Sequence, residues 1–138
     1  MPRLTIRQLD RDNLDCAWPL VRTRPQFSSP SGWRRFANNL FERGGGIIAV
    51  SAEDGCVHGI ATYEPVTKRD SGRILKVEIL VAFELSRRAP VRQALCDALV
   101  GFARLFDCTT VDLLMPDGSM VELASEPSTA ASRKATPG

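Results

Sequence analysis

Hydrophobic positions along the chain follow two periods, one near two residues and one near 3.6. Residues 4–9 (LTIRQL) alternate apolar and polar, the pattern of a strand. In 11–22, Leu14, Ala17, Trp18 and Val21 fall on one helical face, and Pro19 restricts that helix because proline is tolerated in a first turn and costly later. Residues 23–32 hold two prolines and three serines and predict a loop, with Ser31 placed to cap the next helix. That helix, 32–43, carries the stripe Trp33, Phe36, Ala37, Leu40 and Phe41, a packing face, and three glycines at 44–46 stop it. Residues 47–66 read as a β-hairpin turning at Glu53-Asp54-Gly55, where glycine supplies a positive φ.

After a polar turn at 67–72, residues 73–83 predict the longest strand. Its odd positions, Leu75, Val77, Ile79, Val81 and Phe83, are all apolar and form one core face. The other face is polar early and apolar late, and Glu78 lies where it changes character. A third helix follows residues 86–90, with Val91, Leu95, Ala98, Leu99, Phe102, Leu105 and Phe106 on one side. Residues 109–115 give the last strand, closed by Pro116-Asp117-Gly118. The order is β-α-α-β-β-β-α-β. A hairpin followed by a strand-helix-strand unit implies an α/β (α+β) domain, a mixed sheet with helices on both faces. The domain is expected over 1–123. Residues 124–138, small, polar and proline-containing, predict a disordered tail.

Composition narrows the function classes. The chain has 138 residues, 43% apolar and 25% charged, with a net charge of +2. This fits one globular domain and gives no basis for a nucleic-acid or membrane partner. No apolar run spans a bilayer and the N-terminus has no signal-peptide core, so a cytoplasmic location is expected. The four cysteines form no CxxC pair and read as small buried hydrophobes. The single histidine, His58, falls in a strand, so no metal site is expected.

Two stretches carry more. The hairpin GGIIAVSAEDGCVHGIATYE and the segment VEILVAFELSRRAPVRQALCDALVGFARLFDCTTVDLLM, with the element order, resemble the GNAT superfamily of acyl-CoA-dependent N-acetyltransferases over residues 3–118. The resemblance implies an acetyl or acyl group carried from acetyl-CoA to the amine of a small molecule or protein. It also implies that the pantetheine arm lies along Leu80, Val81, Ala82 and Phe83, and the pyrophosphate at the helix start over Arg87, Arg88, Ala89, Val91 and Arg92. A helix N-terminus suits a pyrophosphate because its amides are free and its dipole is positive there.

The loop departs from the family pattern. The leading basic residue is kept as Arg87, but both glycine positions are replaced, by Pro90 and Arg92, and proline has no N–H to donate. Three readings stay open. Arg87, Arg88 and Arg92 replace backbone donors with guanidinium groups and the pocket still takes CoA. Arg92 fills the pocket, leaving a non-catalytic interaction or regulatory module. Or the arginines are solvated charges at a helix start. Glu78 matches the glutamate that some members use as general base, and it also suits a surface ion pair with Lys76 or Arg73. Tyr63, the sole tyrosine, lies in the hairpin, so the family's tyrosine acid has no match. The family's C-terminal helix and strands have no counterpart after residue 118, which leaves the last strand, 109–115, as an exposed edge that a second copy of the chain would cover.

Overall fold

The computed structural model describes residues 3–70, 72–84 and 86–124. Strand β1 (Thr5–Gln8) leads through a 3-10 turn at Leu14–Ala17 into the short helix α1 (Trp18–Val21) and then α2 (Pro30–Glu42). Strands β2 (Gly46–Ser51), β3 (Val57–Lys68), β4 (Gly72–Val77) and β5 (Leu80–Ala82) follow. Helix α3 (Pro90–Leu105) and strands β6 (Thr110–Leu114) and β7 (Met120–Ala124) complete the order. The sheet runs β1-β2-β3-β4-β6-β7, and β5 pairs with β3 alone. All neighbours are antiparallel except β4 and β6, which are parallel and joined through α3. Helices cover both faces, as the order implied. α3 packs with Ile48, Val50, Leu75, Val77 and Val111, while α1, α2 and the 3-10 turn pack with Ile47, Ala49, Ile60 and Ile79.

Several expectations are corrected by local chemistry. The helix expected over 11–22 is divided, with Pro19 in the first turn of α1, the place where a missing N–H costs least. The cap of α2 is Ser29, not Ser31: the Ser29 hydroxyl accepts from Gly32 N at 3.1 Å, and Pro30 takes the first helical position. In α3, Ala103 rather than Leu105 completes the buried stripe, and Leu105 is 71% exposed. The last strand has a further neighbour, β7, paired antiparallel from Thr110↔Ala124 to Leu114↔Met120. The edge expected to be open at 109–115 is therefore covered by the same chain, and the outer edge is β7, with Met120 and Val121 exposed. Of the tail expected at 124–138, Ala124 ends β7, and 125–138 lie outside the described residues.

The correction that shapes the site concerns 73–83. This is not one strand. β3 meets β4 with Glu64 opposite Lys76 and meets β5 with Ala61 opposite Leu80, so Thr62 and Tyr63 face Val77, Glu78 and Ile79. Three residues against two is a β-bulge, which turns the side-chain alternation over by one. Leu75 and Val77 accordingly join the α3 side of the core, and Ile79 and Val81 the α2 side. Thr62, only 1% exposed, closes the defect: its N–H donates to Ile79 O at 2.9 Å, and its hydroxyl accepts from Ile79 N at 3.1 Å. Thr62→Val keeps the shape but strands the buried Ile79 amide. A loss of about 1–3 kcal/mol is expected, read as a lower urea midpoint with an unchanged slope.

Candidate functional site

The bulge frees one edge of β5. Phe83 N donates to His58 O at 2.7 Å, so by strand alternation Phe83 and Val81 direct their backbone groups at β3. Those of Leu80 and Ala82 point the other way, into the wedge between β5 and β6, since β6 pairs with β4 only as far as Val77↔Leu113. A groove of about 470 Å³ occupies this side of the molecule, lined by Arg24, Leu80, Val81, Ala82, Ala89 and Arg92 among others. Arg24 reaches in from the loop after α1, and its Nη2 donates to the Leu80 carbonyl. Burial lowers the pKa of that guanidinium from its ordinary value.

At the far end of the groove stands the start of α3. Gly59 of β3 lets the helix dock closely, because a Cβ there would collide with Val91 Cγ1. Ala89, the N-cap, adopts a left-handed conformation with φ 50° and ψ 53°. Its amide donates to Ser86 O at 3.3 Å, and Pro90 has no amide hydrogen. The next two amides are already taken by the chain itself: Val91 N donates to Glu84 Oε1 at 3.1 Å and Arg92 N to Glu84 Oε2 at 2.8 Å. Gln93 N then makes the first helical bond, to Ala89 O, at 3.0 Å. Every first-turn donor is thus satisfied, and a carboxylate sits where the helix terminus favours an anion. Glu84 was not among the sequence-derived candidates. The group seated on the amides at the helix start is this carboxylate.

The other candidates divide. Leu80, Val81, Ala82, Ala89 and Arg92 line the groove, and Glu84 joins them. Val91 contributes its amide to Glu84 while its side chain is buried against β3. Arg87 and Arg88 are exposed and outside the groove lining, without an ion pair to a described residue. Phe83 is 55% exposed and lies against the His58 ring rather than in the groove. Tyr63 stacks on Phe102 with ring centroids 4.9 Å apart and accepts from Gln8 Nε2 at 2.7 Å, away from the groove.

Glu78, in the bulge, faces a different concavity. This pocket, also about 470 Å³, lies beside the start of α2, over Phe27 and Phe36 and between Ser29, Arg35, Asn39 and Glu78. Glu78 is half-buried and makes no ion pair or hydrogen bond with a described residue, so neither Lys76 nor Arg73 neutralises it. The neighbouring carboxylate, Glu64, is the one that is paired: it accepts from Arg43 Nε at 3.0 Å and raises that guanidinium's pKa, with the field of Glu78 adding to the effect. One segment therefore presents a carboxylate without an ion pair to one concavity and, two residues later, a backbone edge that no strand pairs to another, with Arg24 on its Leu80 carbonyl. Among the described residues, no group of histidine, cysteine, aspartate or glutamate is arranged to hold a metal ion, and no helix is long and apolar enough to cross a membrane.

No family model matches the sequence, and no curated protein matches it. Solved structures do match the fold. An aminoglycoside N-acetyltransferase in complex with CoA is 14% identical and superposes with a TM-score of 0.72 over 97% of this chain and 84% of that one. A Trypanosoma brucei acetyltransferase is 21% identical, with a TM-score of 0.64 over 80% and 82% of the two chains. A GNAT family acetyltransferase from Staphylococcus aureus is 10% identical, with a TM-score of 0.66 over 82% and 86%. With the split strand, the wedge and the α3 crossover in place, the chain has the fold of the GNAT superfamily.

Proposed function

We propose that this domain transfers an acyl group from an acyl-CoA to an amine. The observation that carries the proposal is the bulge at Glu78, which sets a carboxylate without an ion pair and a strand edge that no other strand pairs two residues apart, each at its own concavity. The CoA-bound neighbour of the same fold supports the assignment of the groove to a CoA thioester. The amide groups of the pantetheine arm fit the backbone groups of Leu80 and Ala82 that face away from β3, and Arg24 must release the Leu80 carbonyl for the arm to use it. The pyrophosphate belongs at the Val91 and Arg92 amides, where it replaces the Glu84 carboxylate, one anion for another, with Arg87, Arg88 and Arg92 as counter-charges.

The chemistry follows from this placement. An acceptor enters the pocket as an ammonium ion and gives a proton to Glu78. Its nitrogen lone pair attacks the thioester carbonyl carbon, a C–N bond forms and the C–S bond breaks; the nitrogen releases one more proton to water as it becomes the amide, and the CoA thiolate takes one proton up from water as it leaves. No described side chain in the groove is placed as the acid for that last step.

A second reading, an interaction module that takes no CoA, is favoured by one observation: Glu84 already satisfies both amides that a pyrophosphate would use. Free-thiol release from acetyl-CoA, followed with a thiol reagent in the presence of mixed primary amines, tests the first reading. Amine-dependent release is expected. Release no faster than with buffer alone sinks the proposal in favour of the second.

A further inference from the structure

The pocket that holds Glu78 carries a second charged residue without an ion pair to a described residue. Arg35, on the exposed side of α2, lines the same concavity, is exposed, and makes no ion pair or hydrogen bond with a described residue. Arg35 and Glu78 are the only charged residues in its lining, one cation and one anion; the remaining walls are serine and amide side chains over Phe27 and Phe36. A polycationic acceptor needs several carboxylates to offset its charge, and here it would meet one carboxylate together with a guanidinium that repels it. A ligand with one ammonium and one anionic group satisfies both residues at once, and guanidinium suits a planar carboxylate or a phosphate through paired N–H donors. Resting on the acyl-transfer reading, we infer that the acceptor is a small primary amine bearing its own anionic group, with Arg35 as the residue that selects for the anion. An amino acid and an amino-sugar phosphate share this chemistry.

Two matched pairs separate the anion from the rest of the ligand: phenylalanine against 2-phenylethylamine, and glucosamine 6-phosphate against glucosamine. Binding of each to the full chain is read by NMR titration without acetyl-CoA. The anionic member of at least one pair binds roughly tenfold tighter than its counterpart. Arg35→Ala removes that preference, and Arg35→Lys retains part of it. Which pair responds tells whether the anion is a carboxylate or a phosphate. Equal or tighter binding of the anion-free members, a preference that survives Arg35→Ala, or no binding by any of the four at about 10 mM each overturns the inference. Because acetyl-CoA is absent, failed acyl transfer leaves a positive result standing, and efficient transfer to amines without an anion overturns the inference while leaving the transfer reading intact.

Discussion

Replacing Glu84 with alanine tightens acetyl-CoA binding by about 10- to 100-fold, measured by titration calorimetry. In the native chain the two Glu84 oxygens accept from Val91 N at 3.1 Å and Arg92 N at 2.8 Å, so a pyrophosphate must displace both bonds. Hydrogen bonds to a charged group contribute about 1.5–3 kcal/mol, and 1.4 kcal/mol is tenfold in affinity. The displaced carboxylate would also stand beside the phosphate charges and repel them. Alanine removes the competitor and the repulsion and leaves both amides free. The same variant loses the anion at the start of α3, so without ligand its stability falls by about 0.5–2 kcal/mol, and acetyl-CoA restores it by mass action. Three outcomes separate the readings of the groove. Binding by both proteins, tighter in the variant, fits acyl transfer with Glu84 as a displaceable cap. Binding by the variant alone makes Glu84 the group that excludes CoA, the interaction-module reading. Equal binding by both places the pyrophosphate elsewhere.

Replacing Glu78 with glutamine lowers the rate of acyl transfer by about 10²- to 10⁴-fold, the range for loss of a general base, with acetyl-CoA affinity unchanged. Glutamine keeps the size and the hydrogen-bonding capacity of the side chain but cannot take a proton. Glu78 lies in the α2-side pocket and not in the β5 groove, so CoA affinity is the readout that separates lost chemistry from a damaged fold. The variant should also recover part of its rate as pH rises and more of the acceptor amine loses its proton in solution. A rate within about threefold of the native value would assign proton removal to water or to another group, because a positioned base contributes far more than that.

How much of this was legible in the sequence depends on whether the information is local. The stripes of α2 and α3 are set by helical periodicity: Trp33, Ala37 and Leu40 bury, as do Val91, Leu95 and Leu99, while Phe36 and Phe41 of the α2 stripe are only partly buried. The glycine turn at Gly55 is a local backbone requirement and stands where expected, with φ 81°. The bulge is not local. Leu75, Val77, Ile79, Val81 and Phe83 alternate without a break, so the sequence shows one continuous face. The slip appears only in the register against β3, where the Thr62 hydroxyl takes the place of a ladder carbonyl. Glu84 was illegible for the same reason. Its carboxylate reaches amides seven and eight residues ahead only because the loop folds back through the left-handed Ala89. β7 was missed because Met120, Val121 and Leu123 follow a turn in a short polar context, and its pairing with β6 is what makes it a strand. Of the candidate site, the wedge residues Leu80 to Ala82 were reached through resemblance. The pocket that Arg35 and Glu78 both line depends on how α2 packs over the bulge, and no spacing in the chain encodes it.

In the proposed reaction the β5 edge and the α3 start receive one molecule of acyl-CoA together. The direct measurement is a titration of the isotope-labelled full chain with acetyl-CoA, following backbone amide resonances. Leu80, Ala82, Val91 and Arg92 should shift along one saturating curve, while residues of the distant β1 edge, such as Arg7, stay in place. Amides that do not move at millimolar acetyl-CoA, or shifts confined to the exposed Arg87 and Arg88 and lost in moderate salt, would contradict it.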